Sequence, residues 1–409
     1  MYLDHNATTR PSPGVVASVR RGVEELWGNP SSVHRGGQDA RAAVELARAS
    51  VARLIGAKAR ELVFTSSCTE AIDLGVRGAL ESRTRNVLVT SAVEHAAIRD
   101  LAESLRAQGT EIRELPVAPG GTYDLDAARD LIDDNVGVVA VQLANNETGT
   151  LQPVQELGRL CAQAGAVLLA DGAQWVGKLP LDLSGAEDSL GGAIDLLALS
   201  GHKFHGPKGV GALWVRRGVR VRPRVLGSQE LARRGGTENV PGILGLGTAA
   251  DEAAAWLSRP ENLTRVAHLR DRLEELILAS VPGAVVNGPP NDAPDSNHRP
   301  PVTVQDRSPN CGGGGRLWNT TNIGFPGLEA EAILIPLSER GVYASAGAAC
   351  SSGSLEPSPV LRAMGIPDRV AHGSIRLSLG RDTTEEEVER GAHAIAEVVL
   401  AVGGVAGKS

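Results

Sequence analysis

The feature that most constrains the fold is an alternation of short, continuous apolar runs with longer amphipathic stretches. Strand-length apolar runs occur at 61–65, 86–90, 136–143, 166–170, 194–199 and 210–215. Between them lie segments such as 39–55 and 153–164, where apolar residues recur at helical spacing. A run without polar alternation belongs to a strand buried on both faces, and such strands build mostly parallel sheets covered by helices. The expected class is therefore α/β, with a mostly parallel central sheet in a large domain. The chain has 409 residues, more than one typical core needs. A smaller α/β C-terminal domain is expected, with strands at 320–325 and 374–379 and a closing helix over 384–402. One long helical stretch over 241–280 should carry the chain between the two. Residues 289–316, with six prolines followed by four glycines, read as an exposed, flexible insertion.

Composition excludes several function classes. The net charge of −7 gives no support for a nucleic-acid partner. No apolar stretch approaches the roughly 18 residues of a membrane span, and the first residues lack the apolar core of a signal peptide. The four cysteines, Cys68, Cys161, Cys311 and Cys350, form no CxxC pair. Neither a metal site nor a disulfide framework is expected, and a reducing cytoplasm is.

Four short segments carry chemistry. Ser200-Gly201-His202-Lys203 follows an apolar strand directly, where ligand sites of parallel sheets lie. A lysine there can bond covalently to a carbonyl cofactor, although most lysines are simply solvated. Asp171-Gly172-Ala173-Gln174 also follows a strand, and its carboxylate can pair with the ring nitrogen of pyridoxal 5'-phosphate (PLP) or merely cap a helix. Thr65-Ser66-Ser67-Cys68-Thr69 opens a helix whose free N–H groups suit a phosphate. Ser345 to Ser354 is built of Gly, Ala and Ser apart from Cys350. So small a set of neighbours leaves a thiol accessible and free to move. Phosphate cradle, carboxylate and lysine, in that order and each after a strand, form the set a PLP enzyme needs.

Longer matches follow the same chain order: Tyr2-Leu3-Asp4-His5-Asn6-Ala7-Thr8-Thr9, Gly28-Asn29-Pro30-Ser31-Ser32-Val33-His34, Glu94-His95, Asn145-Asn146-Glu147-Thr148-Gly149, Arg234-Gly235-Gly236-Thr237 and Ser374-Ile375-Arg376. With these the chain resembles the PLP-dependent cysteine desulfurases of the NifS/IscS type, within the class V aminotransferases.

The resemblance implies the fold type I of PLP-dependent transferases, with 12–255 as the large domain and 1–11 plus 256–409 as the small one. It implies that Lys203 holds PLP covalently, that His95 stacks on the ring and acts in catalysis, and that Asp171 pairs with the ring nitrogen. Asn146 and Gln174 would lie near the ring hydroxyl, with Asn146 also near substrate. Thr69, Ser200 and His202 would bind the phosphate, with Cys68 filling space beside it. Thr237 would reach the phosphate of a neighbouring subunit in a homodimer. Arg376 would grip the carboxylate of L-cysteine, and Cys350 would take its sulfur as a persulfide for an acceptor protein, in iron–sulfur cluster assembly or thiolation. The alternative within the superfamily is a selenocysteine lyase or another class V lyase or aminotransferase. The chain departs from the family at Cys68, at Trp175, in the shortened glycine run near Gly227, and in the insertion that carries Cys311.

Overall fold

In the computed structural model, residues 1–185, 189–289, 315–346 and 356–406 are described. A seven-stranded sheet forms from β1 (Leu62–Thr65), β2 (Val87–Ser91), β3 (Glu111–Leu115), β4 (Val136–Gln142), β5 (Val167–Asp171), β6 (Leu196–Ser200) and β7 (Gly211–Val215), in the order β1-β7-β6-β5-β4-β2-β3. All neighbours are parallel except β7, which runs antiparallel to both β1 and β6. Every residue of β4, β5 and β6 is buried, as expected for strands covered on both faces.

Successive strand residues feed opposite cores. Phe64, Leu168 and Leu197 pack with helices Pro13–Glu24, Arg35–Leu54 and Val240–Leu257. Val63, Leu169 and Leu196 pack against helices Cys68–Leu80 and Ala96–Ala107. Gly75 lets the first of these helices sit close, because a Cβ there would lie 2.4 Å from a Leu169 methyl. Truncating Leu169 itself would cost about 2–5 kcal/mol, the usual range for a fully buried leucine.

A second, smaller sheet orders β10 (Ser374–Ser378), β9 (Thr320–Gly324) and β8 (Val285–Val286), all antiparallel. Its core joins Ile323, Ile375 and Leu377 to helices Pro260–Ser280 and Glu385–Ala406. The expected single helix over 241–280 is two helices, Val240–Leu257 and Pro260–Ser280. Pro260 cannot continue the first, and it holds Arg259 in extended backbone. β3 went unpredicted because it is a charged edge strand. Among the described residues, no helix is long and apolar enough to cross a membrane.

The topology brings four chain segments to one edge of the large sheet. Asp171 ends β5, Ser200 ends β6, and Thr65 ends β1 beside Gly211. The N-terminal segment arrives from the small sheet, with Asp4 bridged to Ser378, and lies across this edge.

Candidate active site

Lys203 closes a 3-10 turn, Gly201–Lys203, that begins directly after β6. Its Nζ donates to the main-chain carbonyls of Asn6 at 2.7 Å and Ala7 at 2.9 Å. Among the described residues it makes no ion pair. Burial, then the nearby Arg376 guanidinium, lower its pKa to about 8, against the opposing pull of Asp171. A lysine held by neutral carbonyls in a dry site is easily deprotonated, which is what a nucleophilic amine requires.

Asp171 is buried at the end of β5. Its Oδ1 accepts from Ala173 N at 2.9 Å and from the Cys68 thiol at 3.4 Å. Cys68, at the start of its helix, turns its thiol toward this carboxylate. Burial, then Asp171, push that thiol well above its ordinary range, so it is a protonated donor and an inert nucleophile.

The helix that Cys68 opens is capped by Ser67, whose Oγ accepts from Glu70 N at 3.1 Å. Glu70 in turn accepts from Ser66 N at 2.6 Å and pairs with Arg234 at 2.8 Å, which offsets its charge at the helix start. Thr69 is exposed there.

His95 follows β2 and caps helix Ala96–Ala107, with Nδ1 accepting from Ala97 N at 3.1 Å. Burial lowers its pKa. Beneath it Glu94 is buried, accepting from the Tyr123 hydroxyl at 2.5 Å and from Gln142 N at 2.7 Å. Burial pushes the Glu94 carboxyl up to about 8. Ser200 is buried at the end of β6. His202 meets Thr8 Oγ1 at 3.1 Å, and burial lowers its pKa to about 4.

Arg376, on β10, donates to Asp4 Oδ1 at 2.6 Å and to the Asn146 carbonyl at 3.2 Å. Thr237 is exposed, in a turn tied back by Gly236 N to Gln229 Oε1 at 3.0 Å and by Gly235 N to Val225 O at 2.8 Å. Cys350 and Cys311 lie outside the described residues. The chain leaves toward Cys350 from Ser345, paired with Arg376, and returns at Ser358, whose hydroxyl donates to buried Glu147 at 2.6 Å.

Two residues here escaped sequence reasoning. Asn6 is a saturated hub. Its Nδ2 donates to Asn146 O and Thr320 Oγ1, its Oδ1 accepts from Lys178 and Asn319, and its carbonyl accepts from Gln174 and Lys203. Lys178 is fully buried and contacts Gln174 as well as Asn6. The available signal was a lysine four positions beyond Gln174, directly after the apolar stretch Trp175-Val176-Gly177.

The site thus offers a dry primary amine, a buried carboxylate on the adjacent strand, a helix start, and a guanidinium across from them. Such a set can hold a flat carbonyl cofactor with an anionic tail. The family profile described as aminotransferase class-V matches residues 1–306 and 312–390. A cysteine desulfurase of Nostoc sp. is 43% identical over 401 residues, covering 98% of this chain and 92% of that one. The cysteine desulfurase NifS of Azotobacter vinelandii is 44% identical over 393 residues, covering 95% and 90%. Among solved structures, a NifS-like protein superposes with a TM-score of 0.84 at 32% identity over 98% of this chain and 99% of that one. DndA of Streptomyces lividans does so with 0.71 at 33% identity over 92% and 99%. The chain belongs to the class-V aminotransferase family and, within it, to the cysteine desulfurases of the NifS type.

Proposed function

We propose that this enzyme removes sulfur from L-cysteine with PLP, releasing L-alanine and leaving a persulfide on Cys350. The observation that carries the reading is the Lys203 amine, half-buried, without an ion pair among the described residues and with its pKa lowered to about 8, one strand away from buried Asp171. PLP, when bound, supplies an electron sink for the carbon that loses a proton. Lys203 would hold it, Asp171 would keep its ring nitrogen charged, and His95 would cover its ring. Ser200, His202, Thr69 and the start of helix Cys68–Leu80 would take its phosphate. Asn146 and Gln174 would lie beside its ring hydroxyl.

Arg376 binds the substrate carboxylate, a task that suits a guanidinium fork. Lys203, displaced by the substrate amino group, takes the proton from Cα. The Cys350 thiolate then attacks the substrate sulfur. A sulfur–sulfur bond forms and the carbon–sulfur bond breaks, its electron pair staying with Cβ, which takes a proton; Cα then regains the proton it lost, to give alanine.

We read residues 12–255 as the large domain and 1–11 with 256–409 as the small one, supported by the separate core around Leu3, Ile323 and Ile375. A homodimer is supported by the exposure of Thr237, which then reaches the phosphate of a second copy. The unpaired, buried thiols of Cys68 and Cys161 suit a reducing cytoplasm. The persulfide passes to an acceptor protein.

The test is incubation with L-cysteine and a reductant. Sulfide and alanine should appear in equal amounts, and Cys350→Ser should keep bound PLP and lose both. Alanine without sulfide, or full activity in Cys350→Ser, would overturn the reading.

A further inference from the structure

Lys178 is the buried titratable group that the proposed mechanism leaves unused. Its side chain is 4% exposed, and its Nζ donates to Gln174 Oε1 at 2.6 Å and Asn6 Oδ1 at 2.7 Å. Among the described residues it pairs with no carboxylate. Burying an amine without a counter-charge is costly, so a chain that does so gains something by it.

The two contacts form a closed clasp. Gln174 turns its other amide end to the Asn6 carbonyl, with Nε2 donating at 3.0 Å. That same carbonyl accepts from the Lys203 amine at 2.7 Å. Lys178 therefore holds both the side chain of Asn6 and the amide that pins its main chain. We propose that Lys178 is a positioning residue for covalent cofactor capture, keeping the Asn6 carbonyl aimed at the Lys203 amine. The inference rests on the reading of Lys203 as the PLP lysine.

Two further observations support it. Both lysines line one small cavity of about 10 Å³, room for about one water, whose lining includes His5, His205 and Arg381 and no carboxylate. Burial, then Lys203, Arg376 and Arg381, drive the Lys178 pKa well below the usual lysine range. An uncharged Lys178 still donates both hydrogen bonds while adding no repulsion to Lys203.

Lys178→Met keeps an apolar side chain of similar length and removes both bonds. Gln174 Oε1 then loses its partner and the amide is free to turn off Asn6. The experiment compares two readings on apoprotein. One is the rate of covalent PLP capture, followed by absorbance and located at Lys203 by borohydride trapping and mass spectrometry. The other is affinity for pyridoxine 5'-phosphate, which lacks the aldehyde and so reports the pocket without the lysine. K178M should slow capture by about tenfold, the size of a lost hydrogen bond, and weaken pyridoxine 5'-phosphate by less than about threefold. Capture at the wild-type rate, or equal losses in both readings, overturns the proposal, because a merely structural lysine would leave capture alone or loosen everything together. If K178M does not fold, K178Q removes the amine and shortens the reach, and the same outcomes apply. Wild-type apoprotein that never captures PLP would instead sink the proposed function.

Discussion

The inner and outer halves of the site are built on opposite terms. The inner half gathers buried Asn6, Gln174 and Asp171 around half-buried Lys203, and its polar atoms hold one another across long sequence distances. The outer half, at Thr69 and Thr237, is exposed. Its turn is also strained: Glu230, Leu231 and Ala232 take consecutive left-handed backbone angles with φ of 47°, 57° and 57°, and none is glycine. Beside its own hydrogen bonds, that turn is held by a buried ion pair, Glu230 with Arg48 at 2.7 Å, with Phe64 N donating to the same carboxylate at 2.8 Å. The difference teaches where preorganisation is needed. Under the proposed function, a lysine that must meet one carbonyl carbon is aimed in advance by the fold, whereas a phosphate grip would be completed when the ligand and a second copy arrive.

The largest expected effect strikes the inner half. Lys203→Ala should abolish covalent PLP capture and cut alanine formation by about 10⁴-fold, the upper range for loss of a positioned base. Next, Arg48→Met leaves Glu230 buried without its partner. It should cost about 3–5 kcal/mol in urea unfolding. The surviving folded protein should still capture PLP at Lys203. Loss of capture in that fraction would erase the distinction between the halves.

A third prediction concerns pH. Burial, then His205 and Lys178, hold His5 down to about 4 from an ordinary 6.5. Between those values the unfolded chain binds the proton and the folded chain does not, so stability falls as pH drops through that window. His5→Asn lacks this penalty. Relative to its offset at pH 7, it should gain on the wild type by about 2 kcal/mol toward pH 4, after allowance for partial exposure. Paired melting curves at the two pH values check this. The smallest effect belongs to the outer half: Ala232→Gly should raise stability by up to about 1 kcal/mol, because glycine adopts the left-handed angle without a Cβ clash. A loss of stability there would show that the turn is not strained.

How much of this was legible depended on burial. β4, β5 and β6 announced themselves because both faces are covered and the residues are apolar throughout. β3 carries Glu111, Arg113 and Glu114 at the sheet edge, so no pattern marked it. The break at Pro260 was written in the chain, but strong helical spacing on both sides masked it. The positions of Lys203 and Asp171 could be read from the sequence because one follows an apolar strand and the other ends one. Those of Asn6 and Lys178 could not. Asn6 works partly through a main-chain carbonyl, which any residue has, and the partners that give Lys178 its meaning lie as far as 172 positions away.

The position of Asn6 also sets a timetable. It precedes Lys203 in the chain, yet its amide N–H is anchored on the Ser378 hydroxyl, 372 residues later. Its side chain waits for Thr320. Closures of such span come late in folding. A nascent chain that has not yet reached Thr320 and Ser378 can expose the Lys203 amine without the carbonyl that aims it. Under the proposed function, loading with PLP is therefore an event of a polypeptide that already holds Ser378, and chains truncated before it would compete poorly for the cell's pool of a reactive aldehyde.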